Sequence, residues 1–121
     1  MYAIVDIETT GGYAENHRVT EIAIYHYDGM QITDQFHTLI NPGRKIPQFI
    51  TGLTGITTEM VSDAPTFEVI AKEIHDWLKD RVFVAHNAHF DYSFLNHILF
   101  LRHFQLGLQH NLHLIFLYIQ T

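Results

Sequence analysis

Three carboxylates stand where an acid needs a reason. Asp6 and Glu8 lie in the stretch Ile4-Val5-Asp6-Ile7-Glu8-Thr9-Thr10-Gly11, and Asp91 closes the stretch His86-Asn87-Ala88-His89-Phe90-Asp91. Tyr2 to Ile7 is otherwise apolar and β-branched, the composition of a strand buried on both faces. An unpaired carboxylate in such a strand costs far more than a typical contact returns. Residues two apart on a strand point to the same side of the sheet, so Asp6 and Glu8 converge. Two converging acids repel unless a positive charge sits between them. A hard divalent cation with oxygen ligands, Mg²⁺ or Mn²⁺, meets that need. The bland alternative is an edge strand whose acids face water. Thr9, Thr10 and Gly11 end the strand in a tight segment whose backbone can approach a ligand closely.

Asp91 has an ordinary explanation of its own. It lies near the start of an expected helix running to about Leu101, where an acid caps the helix or meets its dipole favourably. Its position beyond the C-terminal end of an expected strand, Arg81 to Ala85, argues for more, because open α/β sheets bind ligands there. If that strand lies beside the first one, Asp91 can meet Asp6 and Glu8.

The intervening chain supplies the scaffold. Val19 to Tyr27 and Gln31 to Ile40 read as strands joined by the turn at Asp28-Gly29, which predicts a three-stranded antiparallel meander with the acidic strand first. Arg44 to Val61 is broken by Pro47, Gly52 and Gly55. It predicts one or two short helical turns, with Thr57 capping a turn through Met60; the alternative is a plain connecting loop with Phe49, Ile50, Leu53 and Ile56 as apolar anchors. A helix is expected to start at Asp63-Ala64-Pro65. Phe67, Ile70, Ala71, Ile74, Trp77 and Leu78 recur along it at helical spacing. Strand, helix, strand then favours parallel pairing of Arg81–Ala85 with an earlier strand.

Composition bounds the rest. With 121 residues, 47% of them hydrophobic, the chain makes at most one small domain with a real core. A formal charge of −6 argues against the broad basic footprint of a duplex-coating protein, though metals held by acids can still bind a phosphodiester. The chain has no cysteine, which excludes disulfides and thiolate metal sites. No signal region opens it, and its late apolar run, Leu112 to Ile119, is too short to span a bilayer, so a soluble, cytoplasmic protein with no membrane association is expected. From Tyr92 onward Arg102 is the only charged residue other than histidine. The uncharged segment 105–121 is therefore either covered by something, with a homo-oligomer formed through it as one outcome, or not selected as a protein surface.

Asp6-Ile7-Glu8-Thr9-Thr10-Gly11 resembles the first motif of the DnaQ-like (DEDD) 3′–5′ exonucleases, the family of the proofreading epsilon subunit of bacterial DNA polymerase III. His86-Asn87-Ala88-His89-Phe90-Asp91, followed by Phe94-Leu95, resembles the second. Leu53-Thr54-Gly55-Ile56-Thr57 through Asp63-Ala64-Pro65 resembles the linking stretch, with Thr54 where the family often has histidine. The resemblance covers residues 1 to about 104 and implies a ribonuclease-H-like α/β fold. In it, three antiparallel strands plus at least one parallel strand form a mixed sheet flanked by helices. It implies two-metal phosphodiester hydrolysis, with Asp6, Glu8 and Asp91 holding Mg²⁺ or Mn²⁺ ions about 3.5–4 Å apart. Thr9, Thr10, Gly11, Phe90, His86 and Asn87 would contact the terminal nucleotide of a single-stranded 3′ end, and a DNA polymerase subunit is the implied partner.

The family's third motif, a histidine base followed five positions later by a fourth carboxylate, has no counterpart here, because no Asp or Glu follows Asp91. His103, His110 and His113 lack such an acid partner. The resemblance thus implies a domain truncated at its C-terminus (1–104, followed by an atypical tail, 105–121), with a weakened second metal. Two other readings follow. One is a non-catalytic nucleic-acid- or nucleotide-binding module keeping a one-metal site; the other is a structural fragment that oligomerises.

Overall fold

A computed structural model describes residues 1–104. Four strands form one sheet in the order β3-β2-β1-β4. The strands are β1 (Tyr2–Thr9), β2 (Val19–Tyr27), β3 (Ile32–Leu39) and β4 (Val82–Val84), and the helices are α1 (Gln48–Thr54), α2 (Phe67–Leu78) and α3 (Ala88–Leu101). The meander pairs β1 with β2 and β2 with β3 antiparallel. After the α2 crossover, β4 pairs parallel to β1, Ile4 opposite Val84. The expected mixed sheet with flanking helices is therefore the one observed.

β1 is central, not an edge, so the edge-strand alternative fails. Nor is it buried on both faces as its composition suggested. Ala3, Val5 and Ile7 are buried, while Tyr2, Ile4 and Glu8 are half-buried and Asp6 is exposed. The physical reason is which face the helices cover. α2 and α3 both join the core cluster built on Ala3, Val5, Ile7, Ile22 and Ile24. Ile70, Ala71, Ile74 and Leu78 fill it from α2, and Phe94, Leu95 and Ile98 from α3. The alternation that hides the apolar residues thus presents the acids on the opposite face.

α2 begins at Phe67 with Thr66 as its N-cap, four residues later than the expected start at Asp63. Pro65 O accepts from Asn41 N–H, which fixes the chain entering the helix to the end of β3. The loop between β3 and α2 carries one helix, α1, ended by Gly55 at φ 77°, a left-handed conformation that glycine adopts without steric cost. Its anchors differ in part from expectation. Ile50 and Ile56 join Ile46 and Val61 in a small second core, whereas Phe49 and Leu53 are 71% and 79% exposed. Phe49 and Leu53 lie four residues apart, so they share the outer side of this short helix. Thr57 Oγ1 accepts from Met60 N–H at 3.1 Å, the expected local cap. Among the described residues no helix is long and apolar enough to cross a membrane.

Candidate active site

β4 ends at Val84 opposite Ile4, so the second half of the parallel strand β1 runs on past it, and the site is assembled there. Asp6 and Glu8 project from the open face of β1. A register shift follows Glu8, so that Thr9 faces Val19 and not Thr20. Such a bulge re-aims the residues after it and is common beside binding sites. The turn that follows is held from within. Thr9 Oγ1 donates to Gly11 O at 2.6 Å. The buried Thr10 hydroxyl accepts from Arg18 N–H at 3.0 Å, and Thr10 N–H donates to Arg18 O at 2.8 Å. A Cβ at Gly11 would fall inside the His17 imidazole, so any other residue here would force that ring to shift.

Asn87 is the N-cap of α3, its Oδ1 accepting from Phe90 N–H at 3.3 Å. The capping role considered for Asp91 therefore belongs to Asn87. Asp91 is 6% exposed and turns from the helix axis to β1, where its carboxylate accepts from Ile7 N–H. Phe90 is half-buried with its ring against Phe94 (centroids 5.5 Å apart), and His86 is exposed.

The electrostatics tie these residues into one group. Asp91 is pushed up to about 7, mainly by burial and then by the negative charge of Asp6, with Glu8 adding to it; the Ile7 and Asp91 backbone N–H groups pull the other way. Glu8 is raised by burial, then by Asp6 and Glu21. Asp6 is raised by partial loss of water around it even on its exposed face, then by Glu21, while His86 lowers it. Glu21 was not singled out from the sequence. It stands opposite Glu8 on β2, and its carboxylate is 2.8 Å from His37 Nε2. Only the strand register reveals it, since an acid in an alternating strand reads as solvent-facing.

The donor chemistry suits a hard divalent cation: oxygen donors only, on carboxyls raised by burial and by neighbouring acids, which a positive charge placed among them would relieve. Among the described residues, however, no three His, Asp or Glu side chains form a ready-made metal cage. Electrostatic convergence is present and a preformed ligand set is not. His110, His113 and the expected apolar tail 105–121 lie outside the described residues.

A family model described as Exonuclease (RNase_T) matches residues 3–119. The chain belongs to this exonuclease family. Among curated relatives, the 3′–5′ exonuclease DinG of Staphylococcus aureus (strain USA300) is 43% identical over 94 residues, covering 78% of this chain and 10% of that protein. The same match recurs in other strains, so the chain spans about a tenth of the length of these relatives. Exonuclease X, solved in complex with 5′ overhanging duplex DNA, is 30% identical with a TM-score of 0.67, over 78% of this chain and 54% of that one. E. coli exonuclease I, solved with a dT13 oligonucleotide, superposes with a TM-score of 0.77 over 88% of this chain and 25% of that one. At 17% identity it shares the ribonuclease-H-like fold.

Proposed function

We propose that this domain hydrolyses phosphodiesters from the 3′ ends of single-stranded nucleic acid, with Asp6, Glu8 and Asp91 holding Mg²⁺ or Mn²⁺. The observation that carries the reading is the convergence of these three acids where β1 runs past the end of β4: Asp91, buried against Ile7 N–H, feels the charges of Asp6 and Glu8, and Glu8 feels Asp6. Family membership and the 3′–5′ exonuclease relatives support the reaction class. The DNA-bound states of exonuclease I and exonuclease X support the substrate class. A bound divalent cation supplies Lewis acidity and lowers the pKa of water. The protein's own residues supply the rest. The buried Asp91, pushed up to about 7, gives up its proton more readily once positive charge arrives, so metal loading and carboxylate ionisation are coupled. Asp6 and Glu8 stay reachable on the open sheet face. Thr9 and Gly11, beside the bulge, together with Phe90, His86 and the backbone of Thr10, border the position of the terminal nucleotide. Asn87 acts by fixing the start of α3. Partnership with a DNA polymerase belongs to this proposal and rests on the family resemblance alone.

The test is Mn²⁺-dependent release of nucleotides from a 3′-labelled single strand, with Asp6→Ala as control. The expected result is release by the wild-type chain and none by the variant. Release that persists in Asp6→Ala refutes the site. Absence of release by the wild type, with Mn²⁺ still bound, would favour the binding-module reading, for which the chain's lack of any Asp or Glu after Asp91 is the motivating observation.

A further inference from the structure

Three of the chain's four arginines, Arg18, Arg44 and Arg102, gather at one cleft on a chain of net charge −6. A cavity of about 260 Å³ lies between the start of β2, the end of β3 and the C-terminal end of α3, with Arg18 and Arg102 in its wall. Buried apolar residues, Val19, Ile40, Phe67 and Ile98 among them, also line it. Arg44 follows the wall residue Gly43 and is tied across to the loop after β1 by donating from Nη1 to Asn16 O at 2.8 Å. Burial, and then the charges of Arg44 and Arg102, hold the Arg18 guanidinium below its ordinary value.

Like charges held together without a counter-charge are costly, as the carboxylates of the active site are. The acids nearby do not balance the three guanidinium groups. Glu68 pairs with Arg102 at 2.9 Å, and Glu15 is the other acid in the wall. Arg102 Nε is buried and has no hydrogen-bond partner among the described residues. Each guanidinium carries five donors, so Arg18 and Arg44, each using Nη1 on one backbone carbonyl, retain donors for a further acceptor. His97 adds a further nitrogen donor to the wall.

We propose that this cleft is a phosphate-binding subsite that takes a phosphodiester of a nucleic-acid strand whose end lies at the carboxylate site. Arginine forks match phosphate oxygens in pairs. The position suits a strand that extends past the carboxylates, because Arg18 is pinned to Thr10 by two hydrogen bonds. The cleft thus starts where the loop after the acidic strand ends. The proposal rests on the nucleic-acid reading above only for the choice of strand as ligand.

The experiment is fluorescence anisotropy of a 5′-labelled oligo(dT) bound to the full chain in EDTA, across a salt series. No cleavage is needed for this readout. Each phosphate contact in a single strand contributes a slope of about −0.7 in log K against log salt. Arg44→Ala and Arg102→Gln should each flatten the slope by about 0.7, and Lys72→Ala, an equal loss of charge on the exposed side of α2, should leave it unchanged. Unchanged slopes in both arginine variants, equal flattening in Lys72→Ala, or no binding of the strand by the wild type overturn the proposal. Inorganic phosphate serves as the competitor. If it binds with arginine-dependent affinity while the strand's slope ignores the arginines, the site takes free phosphate and the strand assignment fails. A wild type that shows the slopes but releases no nucleotide in Mn²⁺ sinks the hydrolase reading and leaves this subsite standing.

Discussion

Replacing Asp91 by Asn should make the metal-free protein more stable at alkaline pH while removing its response to metal. Asp91 titrates near 7 in the folded chain against an ordinary value of 3.8. A raised acid pKa favours the protonated form in the native state. Its stabilising contribution is therefore full below the unfolded value and lost as pH rises through the folded one. Between pH 5 and pH 8 these two values correspond to a loss of about 2–3 kcal/mol from this one group. Asn cannot ionise and keeps nearly the same shape, so the loss should vanish. The assay is urea denaturation in EDTA at pH 5 and pH 8 for wild type and Asp91→Asn. Histidines also titrate in this window, so the quantity to read is the difference between the two proteins, in which their contributions cancel. Saturating Mn²⁺ at pH 8 should stabilise the wild type and leave the variant unmoved. Parallel pH dependence of the two proteins, within about 0.5 kcal/mol, would refute the idea that Asp91 is a buried, charge-coupled acid.

Three further changes test the supports of the site. Gly11→Ala should displace the His17 ring and cost about 1–3 kcal/mol, read by denaturant midpoint; an unchanged midpoint would mean the ring packs elsewhere. Asn87→Ala should cost about 1 kcal/mol through loss of the α3 cap, with no change in the titration of Asp91 if the two roles are as separate as the geometry has them. Glu21→Gln should bring Asp6 and Glu8 down towards their ordinary values, followed by carboxyl-carbon NMR titration; unmoved Asp6 and Glu8 curves would exclude Glu21 from the group.

Much of the fold was legible because its signals are local. The β2 strand has the bounds its Ile-, Val- and Tyr-rich run predicts, and β3 and β4 differ by a residue at each end. Their turn and crossover follow from Asp28-Gly29 and from the helical spacing of Phe67 to Leu78. Asp6 and Glu8 were found by the same means, since a two-residue spacing on a strand needs no partner to be interpreted. Less local features were misread or missed. The start of α2 was set by Thr66 and by the tie of Pro65 to Asn41, a contact made 24 positions back along the chain. Phe49 and Leu53 were expected inside on hydrophobicity alone, which does not say which side of a two-turn helix meets a core.

Sequence by itself determined which acids the chain brings to its first strand and to the first turn of α3, because strand alternation and motif spacing are properties of consecutive residues. Only the tertiary structure decided what those acids experience. Whether β1 is central or at an edge, and which of its faces the helices cover, depends on how distant segments pair. That pairing exposes Asp6, buries Asp91 against Ile7 N–H, and sets Glu21 opposite Glu8. It also gathers Arg18, Arg44 and Arg102, 84 positions apart from first to last, around one cleft. Charges act through space, so no spacing along the chain announced Glu21's place beside the acids or the gathering of the arginines.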